Sequence, residues 1–210
     1  MGDRYEALVL GIGNVLWADE GFGVRAVEAL HAAYAFPSTV ALRDGGTQGL
    51  YLYDLVAAAR RVLVLDAIDF NLPPGTLVVR RDGEVPSCSS AKMSPHQTGF
   101  NDILALARLR NEAPEAVTLI GVQPQELEDL GGSLREVVRA RISDAVELAA
   151  RELAAWGLPG QPRDPQATLD PLNADALALE RYESGRPSPE EACRDGDARV
   201  LKRHRLRSGV

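Results

Sequence analysis

A chain of 210 residues with 45% hydrophobic and 25% charged side chains has the make-up of an ordinary globular protein, long enough for one domain and an appendage. Thirty acids against twenty-three bases leave a net charge of −7, which argues against nucleic acid or an anionic membrane surface as a partner. No apolar run approaches the ~20 residues that cross a bilayer, and residues 1–6 lack the basic start and apolar stretch of a secretory signal, so no membrane insertion and a cytoplasmic location are expected.

Along residues 1–156, short apolar runs alternate with longer stretches of helical periodicity, the pattern of an α/β protein with a mostly parallel sheet covered on both faces. Strands are expected over 7–10, 40–43, 61–65, 76–80 and 117–121. The run Val62-Leu63-Val64-Leu65 has no polar residue, as a central strand requires. Helices are expected over 21–34, 49–60, 95–109 and 134–156. The last of these carries a capping box, Ser133 with Glu136, ahead of an apolar stripe from Leu134 through Val137, Val138 and Ile142 to Trp156.

Charge and proline usage shift near Trp156. Residues 157–210 hold six of the thirteen prolines and balance nine acids with nine bases, so the excess negative charge lies in 1–156. The segment reads as a Pro-rich, charged tail, extended or partly disordered, which a chain ending at Gly160 would fold without. Cys88 and Cys193 sit far apart in dissimilar surroundings and read as two reduced thiols.

Ligands of open α/β sheets bind beyond the carboxyl ends of the strands, so chemistry is sought directly after each apolar run. The first strand runs into Gly11-Ile12-Gly13-Asn14, but a dinucleotide fingerprint needs a third glycine where Leu16 stands. Asp19 reads as a helix N-cap, and Glu20 as an acid in the first helical turn, favoured there by the helix dipole alone or placed for a ligand. The second strand leads into Asp44-Gly45-Gly46-Thr47-Gln48-Gly49, where Thr47 reads as an N-cap and Asp44 faces the crevice or only braces the turn. Asp66 follows the most apolar strand, where a carboxylate either caps a loop or does chemistry. Ser94-Pro95-His96 reads as a helix start that keeps His96 neutral and available as a ligand or base.

Glu20, Asp66 and His96 thus come from three strand-to-helix connections at one sheet edge. Two carboxylates and an imidazole suit a divalent first-row metal with open positions. Neither H-E-x-x-H nor G-x-S-x-G occurs, so zincin and serine-nucleophile chemistry are not indicated.

Read in order, Gly11-x-Gly13-Asn14-x-Leu16-x-x-Asp19-Glu20-x-x-Gly23, Asp44-Gly45-Gly46-Thr47-x-Gly49, Asp66-Ala67, Ser94-Pro95-His96 and Gly121-Val122-x-Pro124 resemble the hydrogenase maturation endopeptidases. The resemblance spans roughly residues 6–156. It implies a three-layer α/β/α sandwich around a twisted, mostly parallel five-stranded sheet. It also implies an endopeptidase that removes a C-terminal extension from the precursor of the nickel-iron hydrogenase large subunit once nickel is inserted.

By position, Glu20, Asp66 and His96 match the family's nickel contacts, and Asp44 the acid of its glycine turn. The metal expected is nickel carried by the substrate rather than a resident cofactor. An open, hard three-ligand set suits sensing a metal that substrate thiolates already hold. Asp66 or Glu20 as base, Asp44 nearby, and the amides of Gly45 and Gly46 with Thr47 beside the substrate make one arrangement for hydrolysis. The resemblance carries an aspartic-type filing, although no paired-aspartate dyad is visible. A nickel chaperone that binds the precursor without cutting it would use the same residues, and a small-molecule metal hydrolase is the third reading.

Overall fold

The computed structural model describes residues 4–85, 95–164, 169–174 and 177–185, with the side chains of all of these except 95–98. In chain order the elements are β1 (Ala7–Ile12), α1 (Phe22–Ala33), β2 (Tyr34–Ala35), β3 (Val40–Gly46), α2 (Tyr53–Ala57), β4 (Arg61–Ala67), β5 (Leu77–Arg81), α3 (Pro95–Leu109), β6 (Ala116–Val122), α4 (Glu136–Arg139), α5 (Ile142–Ala155), β7 (Gln161–Pro162) and α6 (Leu179–Ser184). Short 3-10 turns at Ala18–Gly21 and Gly49–Leu52 lead into α1 and α2.

Five strands form one sheet in the order β3-β1-β4-β6-β5. The first four run parallel and β5 runs antiparallel to β6. Because strand side chains alternate between faces, Ala7, Val9, Leu63, Leu65, Ile120 and Val122 pack with α1 and α5, while Leu8, Leu10, Val62, Val64, Val117 and Leu119 pack with α2 and α3. Both faces of β1 and β4 are buried, which is why their sequences are apolar without alternation. The expected α/β/α layers are present.

The helices depart from expectation where tertiary partners outbid local signals. The stretch expected as a helix over 49–60 is helical only to Ala57, because Tyr5 already captures the chain beyond it: Tyr5 N–H donates to Ala58 O at 2.9 Å and Arg60 N–H to Tyr5 O at 2.8 Å. The helix expected over 134–156 is split into α4 and α5. Its capping box does not form, since Arg135 is the N-terminal flanking residue and the Ser133 hydroxyl donates instead to Glu183.

The described part of the 157–210 segment is seated on the domain. Gln161–Pro162 pairs with β2, Arg163 Nε donates to His31 O and Tyr34 O at 3.0 Å each, and Leu172 packs against the α1–α5 core. Leu177 O, Tyr182 and Glu183 make further contacts, described below. Cys88, Ser94 and Cys193 lie outside the described residues.

Candidate functional site

Register places the candidate acids at one edge. Gly11 of β1 is level with Asp44 of β3 and with Leu65 of β4, and Asp66 is level with Gly121 of β6. Asp44 and Asp66 therefore leave the same end of the sheet, two strand spacings or about 10 Å apart. Parity separates them. Asp44 continues Val40 and Leu42, which face α1, whereas Asp66 continues Val62 and Val64, which face α3.

Asp66 is 2% exposed, and its Oδ1 accepts the Ala67 N–H at 2.8 Å. Beside it on β6, Gly121 leaves a space that the Phe70 ring fills: a Cβ there would lie 2.8 Å from the ring. The loop carrying Phe70 is held by Gln123, whose Oε1 accepts from Phe70 N–H at 2.7 Å and Leu72 N–H at 3.2 Å, while its Nε2 donates to Asp69 at 3.0 Å. Gln123 is the unspecified position of Gly121-Val122-x-Pro124, and no local signal marked it.

Glu20 sits in the turn between β1 and α1, and its backbone position is set by close packing. At Gly13, with φ +136°, a Cβ would lie 1.8 Å from the Glu20 carbonyl oxygen. At Gly23 a Cβ would lie 2.1 Å from Leu65 O and 2.3 Å from Ile12 O, so Gly23 performs the close helix-to-strand approach that a dinucleotide fold assigns to an earlier glycine.

Asp19, expected as a helix N-cap, does something else. It is fully buried, and its Oδ2 accepts Gln125 N–H at 2.8 Å and Glu126 N–H at 2.9 Å while Oδ1 accepts Arg135 N–H at 2.7 Å. Three charge-assisted bonds compensate the buried charge and lash the loop after β6 to the neighbour of Glu20. They also hold Ala18 at φ +38°, a left-handed conformation that costs an alanine roughly 1–2 kcal/mol.

Pro95 begins α3 as expected, which puts His96 in its first turn; the His96 side chain lies outside the described residues. The backbone of the helix start is brought to the glycine turn, because a Cβ on Gly99 would come within 3.2 Å of Gly49 Cα. Among the described residues, no group of three His, Cys, Asp or Glu side chains is close enough to hold a metal ion, and the predicted trio depends on His96.

Asp44 braces its turn. Its Oδ1 accepts the Gly46 N–H at 2.7 Å, and Gly46 O in turn accepts the Gly13 N–H at 3.0 Å. The Gly46 amide, expected as a donor to the reacting carbonyl, is thus committed to Asp44. Thr47 is exposed and caps no helix; the 3-10 turn that follows is flanked by Gln48 without a side-chain cap. Burial pushes the Asp44 carboxyl above its usual range, opposed by the hydrogen bonds from Gly46 and Asn173 and by Arg25, and reinforced by Glu28. Asp44 accordingly does not share the α3-side setting of Asp66.

Comparison with known proteins interprets this edge. The family model of hydrogenase maturation proteases matches residues 24–152. The chain belongs to the hydrogenase maturation protease family. It is 55% identical over 198 residues to the hydrogenase expression/formation protein HoxM of Cupriavidus necator, covering 92% of this chain and 97% of that protein. To HoxM of Azotobacter vinelandii it is 54% identical over 200 residues, covering 95% and 96%. The solved structure of the hydrogenase maturating endopeptidase HybD from E. coli superposes with a TM-score of 0.71 at 41% identity, covering 75% of this chain and 97% of that one. The α/β fold is that of these maturation endopeptidases, and membership makes the chain a peptidase. No helix among the described residues is long and apolar enough to cross a membrane.

Proposed function

We propose that this peptidase cleaves the C-terminal extension from the precursor of the nickel-iron hydrogenase large subunit, in the cytoplasm, and does so only when the precursor already holds nickel. Membership of the hydrogenase maturation protease family carries the reading. In it, Asp66, Glu20 and His96 meet the substrate's nickel, and the chemistry of the set supports this: carboxylate oxygens and a neutral imidazole fill some coordination positions of a metal whose others remain with substrate thiolates. The ion belongs to the substrate and leaves with it.

Asp66 is buried at a strand end, where its carboxylate is suited to orient a water and take its proton as the peptide carbonyl is attacked. Asp19 and Gln123 act indirectly, fixing the loops on either side. Asp44 belongs to the turn that presents Gly45 and Thr47 to the substrate, rather than to the proton-transfer apparatus. An aspartic-type filing would rest on these separate acids, since Asp44 and Asp66 face opposite sides of the sheet and share no proton.

The test is the intact mass of a large-subunit precursor, nickel-loaded or nickel-free, incubated with the chain. Loss of a C-terminal peptide from the loaded form alone is expected. Cleavage of both forms would remove nickel recognition from the reading, and binding without any mass change would replace the peptidase role by that of a docking protein.

A further inference from the structure

Residues 177–185, which include α6, lie between α1 and the loop after β6. On the α1 side, Leu177 O accepts from Arg25 Nη1 at 2.6 Å, and the Tyr182 ring centroid lies 5.9 Å from the Arg25 guanidinium carbon. Arg25 is only 4% exposed, so this anchor is firm. On the loop side, Tyr182 OH donates to Gly132 O at 3.3 Å. Glu183, about one-third exposed, accepts from the Ser133 hydroxyl and from Arg139, whose Nη1 lies 3.0 Å from Oε2. These are charge-assisted bonds to one carboxylate, and they grip both ends of the stretch 133–139.

That stretch carries the bond that reaches the site. Between Ser133 and Arg139 stands Arg135, whose N–H donates to Asp19 Oδ1 at 2.7 Å. Further back along the loop, Gly131 N–H donates to Leu16 O at 2.7 Å, Leu130 forms an antiparallel bridge with Trp17, and Glu126 O accepts from Asp19 N–H at 3.1 Å. Glu20 N–H closes the same turn on Trp17 O at 2.9 Å. The turn that carries Glu20 is thus laced to the loop after β6, and the far end of that loop is held by α6.

We infer that Glu183 is a positioning residue for Glu20: by gripping Ser133 and Arg139 it fixes the 130–135 loop, and through Arg135 and Asp19 that loop sets where Glu20 meets the substrate. The inference rests on the proposed function for its kinetic consequence but not for its structural one. The competing job for Glu183 is to fasten α6 to α4 through Arg139 alone.

Three variants of the full chain separate these jobs. Ser133→Ala cuts the link to the loop and keeps the Glu183–Arg139 pair, Glu183→Ala removes both, and the double variant closes a cycle. Each is followed by thermal melting, by hydrogen exchange of the Gly131 and Arg135 amides, and by kcat and KM on the nickel-loaded precursor. Positioning predicts that each single variant speeds both amides and raises KM about fivefold, the equivalent of one hydrogen bond, with kcat changed less. KM responds because Glu20 meets the metal as substrate binds, whereas a smaller folded fraction would lower apparent kcat alone. The double variant is expected to match Glu183→Ala, since Ser133 acts through Glu183. Unchanged exchange in Ser133→Ala, or effects of the two substitutions that simply add, would reduce Glu183 to a fastener and overturn the inference. Faster exchange with KM unaltered would overturn it as well, because the loop would then be held without setting Glu20. If the unaltered chain leaves the precursor uncut, the proposed function fails, while exchange of the two amides still decides whether Glu183 holds the turn.

Discussion

Asp44 and Asp66 leave the same edge of the same sheet, two strand spacings apart with β1 between them, and the fold gives them different work. Asp66 follows Val62 and Val64 onto the α3 face, level with Gly121 and the Phe70 ring that covers it. Asp44 follows Val40 and Leu42 onto the α1 face, where its oxygen is spent on a backbone amide and its surroundings are Glu28, Arg25 and Asn173. A strand end thus nominates an acid for the crevice, and the parity of the strand decides which side of the crevice it serves.

The sharpest way to break that contrast is to make the same change at both positions. Asp66→Asn is expected to lower precursor processing by at least about 100-fold with little change in folding, because an amide cannot take a proton from water. Asp44→Asn retains an acceptor for the Gly46 N–H, and should cost up to about tenfold, the equivalent of one hydrogen bond. Cleavage rates by mass spectrometry, with circular dichroism as a folding control, compare the two. Equal losses would put Asp44 back among the reacting groups.

A second contrast is between acids that act on substrate and one that only builds the rim. Asp19→Ala leaves three part-buried N–H groups without their acceptor and removes the bonds beside the left-handed Ala18. Chemical denaturation should show a loss of about 3–5 kcal/mol, against well under 1 kcal/mol for a half-exposed acid such as Asp144. Ending the chain at Gly160 is expected to fall between these, at about 2–3 kcal/mol, because it uncovers the Leu172 contact and strips Leu177 O and Tyr182 from Arg25. A truncated chain that melts like the full one would support the reading of 157–210 as a tail the fold does not need.

How much of this was legible follows the range of the interactions. β1, β4, β6 and α3 were readable because burial on both faces and the Ser-Pro-His helix start are local patterns. The family motifs nominated Glu20, Asp66 and His96 as one set. The capping box failed because Ser133 prefers Glu183, fifty residues away, and Asp19 left its expected cap to bind amides more than a hundred residues on. Gln123 was hidden for the same reason. The strand parity of Asp44 was available in Val40-Ala41-Leu42, and only the position of α1 gave it meaning.

The weakest expected effect concerns how the two faces answer to acid. On the α1–α5 face Glu152 accepts from both Arg81 Nε at 3.0 Å and Nη2 at 2.7 Å, and from the Thr118 hydroxyl at 2.8 Å. The Arg81 hydrogen bonds hold its carboxyl below the usual value of 4.5, with burial opposing and Thr118 and the Arg81 charge assisting. A depressed value in the folded state means the stabilisation is complete above about pH 4.5 and is lost as pH falls through the folded value. Asp44 has the opposite sign: its raised carboxyl costs stability when ionised, and acid relieves that cost. Arg81 is 59% exposed, so solvent screens the pair and Glu152→Gln should cost only about 1 kcal/mol at pH 7, or roughly 2–4 °C in melting temperature. The difference from the unaltered chain should shrink toward zero below pH 4, whereas Asp44→Asn should gain stability relative to the unaltered chain at neutral pH and lose that advantage in acid. Melting curves between pH 3 and 7 read both slopes, and parallel curves for Glu152→Gln would assign its effect to packing rather than charge.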